Sequence, residues 1–153
     1  MGADLRGPRG GSGGLGWWIG SRRSDRAFVG WWDLSPDRPV AERPSRAEAG
    51  WRLARGHWRH GYATEGARAV IDHGFSTVGL QVVSAETMAV NHPSRRVMAR
   101  LGMRHARTDH RRWDAPLPGT EHGEVVYEVT RQEWITDRTR GPGPGPGRPP
   151  AVR

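Results

Sequence analysis

The tryptophans at positions 17, 18, 31 and 32 form two adjacent pairs, Trp17-Trp18 and Trp31-Trp32, separated by a short polar stretch. Successive side chains on a strand point to opposite faces, so each pair places one indole on either side of a sheet. This predicts a sheet covered on both faces, with residues 17–19 and 27–32 as the strands of a hairpin and 21–25 as its turn. Residues 35–46 hold three prolines and read as a loop, after which residues 47–53 form a third strand with Gly50 as a bulge.

From Tyr62 the period changes. Ala63, Ala67, Val70, Ile71, Gly74, Phe75 and Val78 follow one face of a helix, which Gly79 ends. Residues 81–87 alternate as a strand, and 94–101 read as a second helix closed by Gly102. Strands follow over 104–112 and 123–130, and Thr130 with Glu133 has the spacing of a capping box for a last helix holding Trp134. Strands first and helices interleaved later indicate an α/β (α+β) domain with a mixed sheet.

Packing is expected over residues 15–136. Residues 1–14 are Gly-rich and residues 137–153 end in alternating Gly and Pro, so both are predicted to be disordered tails. The formal charge of +8 divides into +1 and +3 for the tails and +4 for the middle. All 24 basic residues are Arg. A modest excess without lysine argues against a nucleic-acid partner. The absence of cysteine removes disulfides, thiolate metal sites and a cysteine nucleophile from the options. No apolar run is long enough to span a bilayer and no signal-peptide core is present, so the expectation is a cytoplasmic protein without a membrane partner.

Chemistry concentrates in two places. The stretch GHWRHGYATEGA (56–67) joins the third strand to the first helix. Such a turn directs unpaired N–H groups and the positive end of the helix dipole at one point, where Arg59 adds charge and Gly61 allows close approach. That suits a phosphate, although a strand-to-helix turn without a ligand has the same local signature. The second is residues 85–103, where Asn91 and Ser94 start the second helix beyond a strand end; both are also ordinary helix starters. His57 and His60 have no third ligand at metal spacing. Glu48, on the strand before the turn, is a candidate general base as well as an ordinary exposed position.

Together, HWRHGYATEGARAVIDHGF, VVSAETMAVNHPSRRVMARLGM and WDAPLPGTEHGEVVYEVTRQEW resemble the GNAT superfamily of acetyl-CoA-dependent N-acetyltransferases. Within it they are most similar to ribosomal-protein N-terminal acetyltransferases and their small-molecule-modifying relatives. The resemblance implies a mostly antiparallel, twisted mixed sheet. It implies acetyl-CoA as co-substrate, no metal, and a primary amine of a protein N-terminus or small molecule as acceptor, with homo-oligomerisation left open. It assigns Arg59, His60, Gly61, Tyr62, Ala63 and Thr64 to the pyrophosphate. Trp51, Arg52, Leu53 and Asn91 go to the pantetheine arm, Arg96 to the cofactor, and Ser94 to the leaving thiolate. The family's usual W-G-R-G-Y-A-T-E has Arg59 here at its first glycine; an Arg at negative φ keeps the phosphate contact, whereas loss of a needed positive φ weakens it.

Family members carry a strand and helices ahead of the hairpin, which residues 1–14 do not resemble. The expectation is therefore an N-terminally truncated domain with part of its tryptophan-bearing face uncovered. The alternative function is a remnant that binds coenzyme A or a partner without turnover.

Overall fold

A computed structural model describes residues 2–7, 14–36 and 44–140. Seven strands form one sheet: β1 (Ala3–Arg6), β2 (Gly16–Arg22), β3 (Phe28–Pro36), β4 (Arg46–Leu53), β5 (Val82–Met88), β6 (Arg104–Asp109) and β7 (Glu124–Thr130). Their order is β1-β2-β3-β4-β5-β7-β6. Every neighbouring pair is antiparallel except β4 and β5. Three helices, α1 (Tyr62–His73), α2 (His92–Arg100) and α3 (Arg131–Arg140), are interleaved, as the change of period predicts. Among the described residues, no helix is long and apolar enough to cross a membrane.

The parallel pair governs the shape of the domain. β4 and β5 share only the rungs Arg46–Val82, Ala47–Val83 and Glu48–Ser84. Beyond Glu48, β4 stays on β3 to Leu53 while β5 stays on β7 to Met88. The sheet therefore forks after Glu48.

One face of the sheet holds the core. Trp32, Leu34, Ala47, Ala49, Val83, Ala85 and Val129 are buried there with Ala67, Val70 and Ile71 of α1. The Trp32 Nε1–H donates to the Ala63 carbonyl at 3.2 Å, which ties β3 to the first turn of α1. A Cβ at Gly66 would lie 2.2 Å from the Trp32 ring, so glycine is what lets the helix lie flat on the indole. Past His73, α1 widens into a π-helical turn (Gly74–Val78), and Gly79 at φ +86° ends it as expected. α3 opens on the predicted capping box: the Glu133 N–H donates to Thr130 Oγ1 at 3.2 Å, and the Thr130 N–H donates to Glu133 Oε2 at 2.9 Å.

Four expectations are corrected. First, residues 3–6 are strand β1, paired with β2, within the stretch predicted to be disordered. Local pattern hides it because only Ala3 and Leu5 alternate. Its register depends on distant partners, with the Ala3 N–H donating to Glu65 Oε1 at 3.0 Å and Arg26 pairing with Asp4 at 2.8 Å. Second, residues 137–140 belong to α3, whereas 141–153 lie outside the described residues, as do 1 and 8–13 of the first predicted tail and 37–43 of the predicted loop.

Third, Gly50 is no bulge. The β3–β4 register passes without a shift through Asp33–Gly50, and a Cβ there would lie 2.2 Å from Asp33 Oδ1, so the glycine makes room for a carboxylate. Register shifts fall instead between Gly20 and Ser21 and between His105 and Arg107. Fourth, the two-sided cover expected from the tryptophan pairs is one-sided among the described residues. Trp18 and Trp32 are buried, while Trp17 is 57% exposed and packs edge-on against Trp31 at 4.6 Å.

Candidate active site

A cavity of about 630 Å³ opens where β4 and β5 part. One wall is Trp51, Arg52 and Leu53 of β4; the floor is the turn into α1; the other wall is α2. This location follows from the fork, because strands that stop pairing leave a gap which a helix on either side can wall but not fill.

At the floor, Gly61 precedes α1 with φ +83° and offers no side-chain cap. The first helical bond runs from the Glu65 N–H to the Gly61 carbonyl at 3.0 Å. The N–H groups of Tyr62, Ala63 and Thr64 thus have no helical acceptor and sit at the positive end of the dipole. Nothing lies within 4 Å of a Cβ built on Gly61, so this surface is open to a ligand.

Arg59 also has positive φ, +63°. Arg59 therefore stands on a left-handed backbone that a glycine would adopt without strain, at a cost of roughly 1–2 kcal/mol for a residue with a Cβ. Arg59→Gly is expected to raise stability by about 1 kcal/mol in a denaturant titration while weakening binding of a polyphosphate ligand severalfold. An unchanged affinity would show that the guanidinium does not touch the ligand.

The cavity is basic throughout. Its lining includes Arg52, Arg59, Arg96 and Arg100 with His57, and no Asp or Glu. Several arginines elsewhere are paired with carboxylates: Arg22 with Asp25, Arg46 with Glu128, Arg104 with Glu133 and Arg138 with Asp72. Among the described residues, the four cavity arginines have no such partner. Four uncompensated cations around one opening favour a multiply charged anion.

On α2, Asn91 acts as the N-cap, its Oδ1 accepting from the Ser94 N–H at 3.3 Å while its Nδ2–H donates to Thr87 Oγ1 at 2.9 Å. Asn91 thus starts the helix and also lines the cavity beside Ser94.

Of the predicted cofactor residues, Trp51, Arg52, Leu53, Arg59, Gly61, Tyr62, Ala63, Thr64, Asn91, Ser94 and Arg96 surround this one cavity. His60 does not line it. Its Nδ1 lies 2.7 Å from the Trp58 carbonyl and its ring stacks on Tyr62, so it braces the turn from behind. His57, Trp58, Pro93, Val97 and Arg100 also line the cavity and were not among the predicted cofactor residues. Arg100 follows Arg96 by one helical turn, a spacing visible in the sequence.

Glu48 stands outside the cavity, on the last rung that β4 and β5 share. It heads a row of carboxylates on the sheet face turned away from α1. The register places Asp33, Glu86 and Glu124 on that same face. Arg111 bridges the far end, 2.6 Å from Glu86 and 3.1 Å from Glu124. Glu48 is exposed as a residue, but partial desolvation of its carboxyl against the sheet, then the charges of Glu86 and Asp33, push it above the ordinary carboxylate range, opposed by Arg111 and Arg107. A carboxylate of raised basicity at the fork is chemically suited to take a proton.

Residues 6–104 match the family model described as an acetyltransferase (GNAT) domain. Over 126 residues the chain is 43% identical to FsC-acetyl coenzyme A-N(2)-transacetylase of Aspergillus fumigatus, covering 80% of this chain and 53% of that protein. Among solved structures, an acetyltransferase of the GNAT family from Bacillus anthracis aligns with a TM-score of 0.60 at 24% identity, over 76% of this chain and 66% of that one. Mycobacterium smegmatis RimJ in complex with CoA-disulfide aligns with a TM-score of 0.60 at 22% identity, over 80% and 61% respectively. At such identities the structures share the fold. The chain spans about half the length of the curated relatives it matches.

Proposed function

The chain belongs to the GNAT acetyltransferase family, and from that premise we propose that it transfers the acetyl group of acetyl-CoA to a primary amine by direct attack. The observation that carries this reading is the acid-free cavity with four unpaired arginines, which runs from the Gly61 turn to the fork of the sheet. Coenzyme A combines a polyphosphate end with a neutral pantetheine arm. The Gly61 turn and Arg59 suit the pyrophosphate; the free β4 edge at Trp51–Leu53 suits the pantetheine amides.

In this reading the thioester reaches the fork and the amine arrives from the Glu48 face. The amine nitrogen attacks the thioester carbonyl, Glu48 accepts the proton that nitrogen sheds, directly or through one water, and the C–S bond breaks. The Ser94 hydroxyl donates a hydrogen bond to the departing thiolate. The products are the N-acetyl amide and free coenzyme A.

The acceptor is an amine of low pKa. At pH 7.5 an α-amine of pKa about 7.8 is roughly a third neutral, whereas a lysine side chain of pKa about 10.4 is only about 0.1% neutral. A single carboxylate base suffices for the first far more readily than for the second. Among the relatives, the A. fumigatus protein is named for transfer from acetyl coenzyme A to an N(2) nitrogen, in keeping with a nitrogen acceptor.

The test is thiol release from acetyl-CoA with two peptides, one offering only an α-amine and one only a lysine side chain. The chain has no cysteine, so a thiol reagent reports coenzyme A alone. Faster turnover of the α-amine supports the assignment, and faster turnover of the lysine contradicts it.

A further inference from the structure

The sheet face turned away from α1 changes character from strand to strand. At the fork it is acidic, with Glu48 and Asp33; on β2 and β3 it turns apolar. In the β2–β3 register Trp17 stands directly opposite Asp33, and Ile19 stands opposite Trp31. Alternation along the strands and the pairing between them put Trp17, Ile19, Trp31, Asp33 and Glu48 on this one face. The Asp33 carboxylate leans over Gly50, two residues from Glu48, since a Cβ at Gly50 would lie 2.2 Å from Asp33 Oδ1. Carboxylates and indoles therefore adjoin in one continuous strip.

Among the described residues the apolar part of this strip is open to solvent. Trp17 is 57% exposed and Ile19 56%, whereas Trp18 is buried on the opposite face. Trp17 and Trp31 brace each other edge-on at 4.6 Å, so the outward indole is held in place before anything meets it. Adjacent exposed apolar side chains edged by polar groups mark a contact surface. What they adjoin decides the occupant. Trp17 lies two strands across and two residues along from Glu48, about 12 Å at ordinary strand spacings. A molecule whose amine sheds its proton at Glu48 thus extends over Asp33 and onto the indoles, a distance that an extended peptide covers in about three to four residues. The neighbouring carboxylates attract the ammonium form of that same molecule.

We propose that Trp17 and Trp31 form an acceptor subsite that takes an apolar group, aromatic or branched aliphatic, lying about 12 Å from the amine to be acetylated. The inference rests on the acetyl-transfer reading above and adds the class of acceptor to it: an amine with an apolar body, in place of a wholly polar one.

The experiment compares kcat/KM of the full chain for two tetrapeptide amides, Ala-Gly-Gly-Phe and Ala-Gly-Gly-Ser, which share one α-amine and differ only at the residue that reaches the indoles. The unaltered protein is expected to favour the Phe peptide by about tenfold, the value of partly burying one aromatic side chain. In Trp17→Ser the preference falls to about twofold or less while turnover of the Ser peptide changes little, and Trp17→Phe keeps most of it. Trp17 is exposed, and a thermal melt of each variant checks that it folds. Equal turnover of the two peptides by the unaltered protein overturns the proposal alone, as does a Trp17→Ser variant that keeps the preference or loses both substrates equally. A dimer in size-exclusion chromatography that Trp17→Ser dissociates also overturns it, since the indoles would then be a contact between copies. Turnover of neither peptide by the folded protein overturns the acetyl-transfer reading and the subsite with it.

Discussion

Glu48→Gln is expected to lower kcat with an α-amine acceptor by about 100-fold or more, the usual contribution of a positioned general base. The glutamine preserves the size and position of the side chain on the last β4–β5 rung but cannot take a proton. The pH profile identifies the group. Partial desolvation and the neighbouring Glu86 and Asp33 raise the Glu48 carboxyl, so the active, ionised form is lost as pH falls through that raised value. The unaltered enzyme should show an acid limb above the ordinary glutamate value of about 4.3, and the variant should lack it. A separate limb near about 7.8, from the acceptor amine itself, should stay in both.

Unfolding does not explain such a loss. The folded protein disfavours the ionised form of Glu48, so this solvent-screened group opposes folding only slightly above its raised value and ceases to oppose it as pH falls. A neutral glutamine at pH 7 leaves stability unchanged or higher. A variant with kcat within a few-fold of the original and the same acid limb would remove Glu48 from the mechanism.

The second large effect lies at the other end of the cavity. Gly61→Val is expected to weaken acetyl-CoA binding by at least about 100-fold, from the loss of several charge-assisted contacts together. At φ +83° a β-branched residue is strained, and relief of that strain rotates the peptide that presents the first N–H groups of α1. The isopropyl group also enters the open space that the phosphate requires. Stability should fall by only about 1–2 kcal/mol, because no neighbouring atom is displaced. Unchanged binding in a folded Gly61→Val variant would place the phosphates elsewhere.

Much of this site was legible because its parts are local. The helical period beginning at Tyr62, the glycine before it and the Thr130–Glu133 box each depend on residues within one or two turns, and each appears as expected. What failed is non-local. Strand β1 has too little pattern of its own and exists through its partners on β2 and Glu65. Gly50 looked like a backbone irregularity, and only the register with β3 reveals the Asp33 carboxylate that it accommodates. Arg100 stood in plain view one turn after Arg96, but its place in the cavity depends on where α2 docks against α1. Glu48 was found as a residue and not as an environment: its basicity is raised first by partial desolvation against the sheet and then by carboxylates of β5 and β3, distant in the chain and near across the sheet.

The forked sheet and its basic cavity are proposed as an acetyl-CoA site. Calorimetric titration of the unaltered chain with acetyl-CoA tests it most directly. A single site of micromolar affinity that is lost in Gly61→Val is the result expected. A folded chain that gives no binding heat and no protection by acetyl-CoA against thermal unfolding would contradict it.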